Sequence, residues 1–177
     1  MFQKEANAIA LFPGGFGTHD EGFEILTLAQ SGKSDPQPIV CIQAPGCDYW
    51  DDWSAFIVKQ LLKRRLINEE DLSLFKVVNS AEAAVEEIST FYRRYHSIRF
   101  VGKLMAMRLK SPISAEHLEQ IQARFGDLLS EGRFELRAAL EEELDEPTIA
   151  NLPRLVFSFN RRSAGRLRQL IDYVNSL

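Results

Sequence analysis

Apolar positions recur along this chain in two rhythms, and the change between them falls near residue 96. Ala8-Ile9-Ala10-Leu11-Phe12 is a continuous apolar run stopped by Pro13-Gly14-Gly15, the pattern of a strand covered on both faces and so of a central parallel strand. After Thr18, the residues Phe23, Leu26 and Ala29, flanked by Ile25 and Leu28, predict a broadly buried helix that Gly32 stops. Asp35-Pro36-Gln37-Pro38 forces extended chain into a second buried strand, Ile39-Val40-Cys41-Ile42. Trp50, Trp53, Ile57 and Leu61 give an amphipathic helix ending in Lys63-Arg64-Arg65, where cations suit the helix dipole. A third strand is predicted at Leu74-Phe75-Lys76-Val77-Val78. Asn79 with Glu82 has the spacing of a capping box opening a helix with the stripe Ala81, Ala84, Val85, Ile88, Phe91, Tyr92 and Tyr95.

Beyond residue 96 strict alternation takes over. Met105, Met107 and Leu109 alternate with Ala106 and Arg108, predicting a half-exposed strand that Ser111-Pro112 breaks. Leu118, Ile121, Phe125 and Leu128 are spaced as a helix. Phe134 to Leu140 and Leu155 to Phe159 alternate as strands, and Leu167, Leu170, Ile171 and Val174 form a last helix. The fold class expected is therefore α/β: a partial Rossmann-like parallel sheet with helices over residues 1–96, then a small β-α-β-β-α appendage over 97–177. The acidic run Glu141-Glu142-Glu143 before Asp145-Glu146 is expected to be a solvated loop between strands.

Composition narrows the function classes. A chain of 177 residues with 45% hydrophobic and 26% charged residues is in the globular range and not the disordered one. The net charge of −4 lacks the basic field of a non-specific nucleic-acid binder, so a phosphate site has to be local. Arg154, Arg161, Arg162, Arg166 and Arg168 could form a phosphate or RNA patch, but surface solvation is the favoured reading. The two cysteines, Cys41 and Cys47, are too few for a zinc site and read as reduced thiols. No apolar run approaches the roughly 20 residues of a membrane span, and no signal peptide opens the sequence. The expectation is a cytoplasmic protein without metal or cofactor.

The chemistry is concentrated in Pro13-Gly14-Gly15-Phe16-Gly17-Thr18-His19-Asp20-Glu21. A strand, a glycine-rich turn and a helix start together make an anion site, because the first helical amides lack partners and the dipole is positive there. Gly14, Gly15, Phe16, Gly17 and Thr18 are the candidate phosphate-binding residues, with Thr18 at the expected N-cap. The segment is neither G-x-G-x-x-G nor G-x-x-x-x-G-K-[ST], so the dinucleotide and P-loop signatures are absent. Glu21 has two readings. It fits a capping box with Thr18, and it also suits a carboxylate stabilising oxocarbenium-like charge or activating water beside a bound ribose phosphate. His19 and Asp20 read as exposed first-turn residues.

Pro-Gly-Gly-x-Gly-Thr-x-x-Glu resembles, through all nine positions, the signature of the LOG ("Lonely guy") family. Its members are Rossmann-like enzymes that release free base and ribose 5-phosphate from nucleoside 5′-monophosphates. The similarity continues through Phe23-Glu24-Ile25-Leu26-Thr27-Leu28 and Gly32-Lys33. Leu152 to Phe157 and Asn160-Arg161-Arg162 look like the appendage of the longer bacterial branch. The resemblance implies that the Gly-Thr stretch holds phosphate and that Glu21 is catalytic. Such proteins are often labelled lysine-decarboxylase-like, although no pyridoxal-binding lysine context is visible. The family also carries an earlier glycine-rich turn and a catalytic arginine before this strand. Met1 to Ala6 resembles the helix after that arginine, so the chain is expected to represent the C-terminal half of the fold. No residue takes the arginine's role, and Lys4 falls out of place. The expected partners are a nucleoside monophosphate or phosphate and a second copy, in a homodimer through helix 18–31. The alternatives are a non-catalytic nucleotide or phosphate sensor and an interaction module.

Overall fold

The computed structural model describes residues 6–143 and 145–177. These residues fall into two compact units, one running up to Thr90 and including Ala164–Gln169, the other comprising Phe91–Ser163 and Leu170–Leu177. Mixed α/β architecture is present as expected, with a parallel sheet in the first unit and an antiparallel one in the second.

The first unit runs β1 (Ile9–Leu11), α1 (Phe16–Gln30), β2 (Ile39–Ile42), α2 (Tyr49–Phe56), β3 (Phe75–Val78) and α3 (Ala81–Phe91), whose last residue falls in the second unit. The strands are parallel in the order β1-β2-β3. The central strand is therefore β2, and β1 lies at an edge with Ala10 exposed. An apolar run reports burial but not which neighbours supply it. Alternation along β2 sends Ile39 and Cys41 into a core with Leu11, Ile25, Trp50, Trp53, Ile57 and Phe75. Val40 and Ile42 point the other way, against Ala84, Val78 and Ile88. Burial of both faces explains the uninterrupted hydrophobicity of this strand. It also pushes the Cys41 thiol up to about 12, so this cysteine packs as a small hydrophobe and not as a nucleophile. Edge-on ring contacts join Trp50, Trp53 and Phe75 at centroid distances of 5.4 and 5.1 Å.

Two helix starts differ from the spacing-based expectation. In α3 the cap is Ser80, whose hydroxyl accepts from the Ala83 amide at 3.1 Å, while Asn79 is used elsewhere. The same helix ends at Phe91, and Tyr95, expected on its stripe, opens a strand instead. Gly165 marks a close approach within the first unit. A Cβ there would lie 2.1 Å from the Glu70 carbonyl oxygen and 2.8 Å from the Asp71 nitrogen. Backbone cannot yield as a side-chain tip can. Gly165→Ala is therefore expected to cost stability at the upper end of the ~1–3 kcal/mol typical of overpacking, against the ~1 kcal/mol that alanine gains over glycine in a helix. Urea unfolding checks this, and an unchanged midpoint would contradict the contact.

The second unit adds a strand to the expected appendage. Its elements are β4 (Tyr95–Val101), β5 (Leu104–Leu109), α4 (Ala115–Phe125), β6 (Leu129–Arg137) and β7 (Arg154–Phe159), followed by the later part of α5 (Ala164–Ser176). The sheet is antiparallel in the order β4-β5-β7-β6. One face carries Met105, Met107 and Leu109 beside Leu155 and Phe157, where Phe157 meets Phe134 at 4.6 Å. The other face of β5 is buried as well, against the half-exposed expectation, because its arginine is covered. Register places Arg108 directly opposite Arg154, an arrangement of like charges that is unfavourable alone. Glu143 resolves it. Its carboxylate lies 2.8 Å from Arg108 Nε and 3.2 Å from Arg154 Nε, and its side chain is wholly inaccessible. Glu146 joins Arg108 and Arg99, each at 2.7 Å, and Asp145 joins Arg99 at 2.5 Å. The acidic run is thus not a solvated loop but in part the buried counter-charge of the sheet. Among the described residues no helix is long and apolar enough to cross a membrane.

Candidate functional site

The candidate site lies at the carboxyl end of the parallel strands, where ligands of open α/β sheets bind. The chain leaves β1 at Leu11, passes through Phe12 to Gly15, and enters α1 at Phe16. Gly15 is the N-cap, and its carbonyl accepts from the Thr18 and His19 amides at 3.1 and 3.3 Å. Thr18 is therefore the third helical residue and not the cap. The capping-box reading of Glu21 fails with it, since the Thr18 amide is already committed to Gly15. Glu21 sits on the exposed part of α1, three positions after Thr18 and on the same helical face.

The helix start is electrostatically open. The amides of Phe16 and Gly17 precede the first residue that can have an intrahelical acceptor, and no acidic side chain occupies the first turn. The glycines differ in what they require. A Cβ on Gly14 would fall 2.1 Å from the Thr18 hydroxyl oxygen, so this glycine admits a threonine side chain folded back over the loop. A Cβ on Gly15 or Gly17 would meet nothing within 4 Å, and neither residue has a positive φ. Gly15 suits its N-cap position, whereas internal packing and backbone conformation leave Gly17 unexplained, although glycine in a helix costs about 1 kcal/mol relative to alanine.

Two residues missed in the sequence, Tyr49 and Gln43, join the polar contacts at this end of the sheet. The Tyr49 hydroxyl lies 2.5 Å from the Gly14 carbonyl oxygen and 2.8 Å from His19 Nε2. His19, expected to be an exposed first-turn residue, is half-buried and stacks on Tyr49 with ring centroids 5.7 Å apart. Gln43, just past β2, accepts from the Trp50 amide at 2.8 Å and donates to Asp51 at 2.7 Å and to Asn79, just past β3, at 3.1 Å. The only trace in the sequence is that each is polar and follows a strand or opens a helix. Lys4 lies outside the described residues.

Of the arginines expected on the surface, Arg161 and Arg162 are exposed, and two others are not. Arg154 is fully buried on Glu143, and Arg168 is nearly so, with Glu87 at 2.7 Å. Arg161 caps the Phe100 ring at 4.4 Å. A cleft of about 490 Å³ in the second unit is lined by Lys103, Glu131, Ser158 and Arg161 among others, and by none of the predicted site residues.

Residues 1–88 match the family described as "Possible lysine decarboxylase". That stretch holds the glycine-rich loop, Glu21, Tyr49 and all three parallel strands, and the match supports a relationship at family level. No curated protein matches the sequence.

Proposed function

We propose that this chain is a LOG-like nucleotide-binding protein, related to phosphoribohydrolases, in which residues Gly14 to Thr18 hold the 5′-phosphate of a nucleoside monophosphate. The observation that carries the reading is the pair of glycines at 15 and 17, which serve no internal contact and keep the space before two unpartnered helical amides open. Such a space suits phosphate oxygens, which the amides and the dipole would attract. The family match over residues 1–88 supports the same assignment. In hydrolysis the bond from C1′ to the base nitrogen breaks, water adds to C1′, and the proton it loses balances the base leaving protonated. Glu21 is the proposed carboxylate for the positive charge that develops at C1′.

The test is calorimetric titration of AMP into the wild-type chain and Gly17→Val. The valine is expected to abolish measurable binding while leaving the urea midpoint nearly unchanged, because its side chain enters open space. Equal affinity of the two proteins would remove the phosphate from this loop. The second reading is a sensor that binds without turnover, favoured by the exposure of Glu21 on α1. Saturable AMP binding with no base released at long incubation supports it.

A further inference from the structure

We propose that Tyr49 and His19 are positioning residues of the loop, holding the peptide between Gly14 and Gly15 in the one orientation that presents an N–H to an anion. The inference rests on the phosphate-loop reading above. A tyrosine hydroxyl has one proton to give. The Gly14 carbonyl, 2.5 Å away, can only accept it. His19 Nε2, 2.8 Å from the same oxygen, therefore has to donate, which places its ring proton on Nε2. The other neutral tautomer would compete for the hydroxyl proton and release the carbonyl.

The consequence reaches the anion through planarity. In a trans peptide the C=O and the following N–H point in opposite directions. Turning the Gly14 carbonyl toward Tyr49 turns the Gly15 N–H away from it. A flip of this peptide would present an oxygen in place of the N–H, and flanking glycines make such a flip easy. The pin itself is rigid. Tyr49 packs edge-on to Trp50 at 4.9 Å, and Trp50 is buried with its indole N–H on the Ile42 carbonyl at 3.1 Å. The clamp is thus referred to the central strand and not to the loop it restrains.

The experiment uses the full 177-residue chain, with AMP and inorganic phosphate as probes. Without ligand, ring ¹⁵N spectra should show His19 protonated at Nε2, and Tyr49→Phe should move the Gly14 carbonyl ¹³C resonance as the hydrogen bond disappears. With ligand, Tyr49→Phe should weaken both probes about tenfold, the scale of one hydrogen bond. His19→Ala should weaken them severalfold. His19→Gln, which restores an N–H donor, should recover most of the affinity, a rescue that loss of ring packing alone would not give. A proton on Nδ1, or wild-type affinity in Tyr49→Phe with an unmoved Gly14 carbonyl, would overturn the pin while leaving the phosphate reading intact. If the wild-type chain binds neither probe, the phosphate reading falls and the positioning role falls with it.

Discussion

Glu143→Ala is expected to lower the stability of the antiparallel unit by about 3–5 kcal/mol, the usual cost of removing one partner from a buried ion network. The magnitude follows from register. Arg108 and Arg154 are paired across β5 and β7, and their side chains are almost or wholly inaccessible. Alanine would leave two guanidinium groups facing one another without the carboxylate between them. Replacing Glu143 and Arg154 together by methionine should cost less, because Arg108 keeps Glu146 at 2.7 Å and the unpaired buried charge is gone. Urea denaturation measures both. A single variant as stable as wild type would show that solvent or a shifted side chain replaces Glu143.

The same network predicts a direction with pH. Burial works against the Glu143 charge, but the Leu140 amide and the Arg108 and Arg154 guanidinium groups more than offset it and hold the carboxyl below its ordinary value. Arg108 does the same for Glu146, helped by Arg99. Carboxylates with depressed folded pKa values bind fewer protons folded than unfolded. Their stabilisation is fully present above the ordinary glutamate pKa of about 4.3 and is lost as the pH falls through the lower folded values. Wild-type stability should therefore drop across that acid window, and Glu143→Ala should show a shallower drop.

Glu21→Ala should reduce whatever adenine release the protein supports by on the order of 10²-fold or more, the range for removing a group that stabilises transition-state charge. AMP affinity should change less than about twofold, since the phosphate is assigned to amides upstream. The structure sharpens this expectation. Glu21 is exposed, and the Thr18 amide it would have capped is bonded to Gly15 at 3.1 Å, so its removal takes no cap from the helix. Chromatographic assay of free adenine beside AMP titration separates the two effects. Turnover that does not depend on Glu21 would exclude it from the chemistry, and a parallel fall in affinity would make it a binding group.

The alternation of strand and helix up to residue 91 was readable because each decision there is local. A buried strand is an apolar run, a helix is a stripe, and Pro13-Gly14-Gly15 ends the one and opens the other. The glycine-rich loop was visible for the same reason. Errors of one or a few residues came where several polar groups competed for one helix start. Thr18 gave way to Gly15 as a cap and Asn79 to Ser80, because capping depends on which backbone turns first.

What periodicity could not reach depends on which distant residues meet. The role of Tyr49 requires it to approach Gly14, 35 positions earlier. That approach exists only once β1 and β2 lie side by side. Glu143 reads as one member of a soluble acidic run until Arg108 and Arg154 are set opposite each other by strand register. Local patterning by itself determined the class of fold, most of its elements and the position of the glycine-rich loop, since those follow from turn chemistry and hydrophobic period within a few residues; β4, which opens at Tyr95, escaped it. Only the tertiary structure decided which charges are buried and what holds the loop in place, because desolvation and hydrogen bonding are properties of the assembled neighbourhood and not of any segment in it.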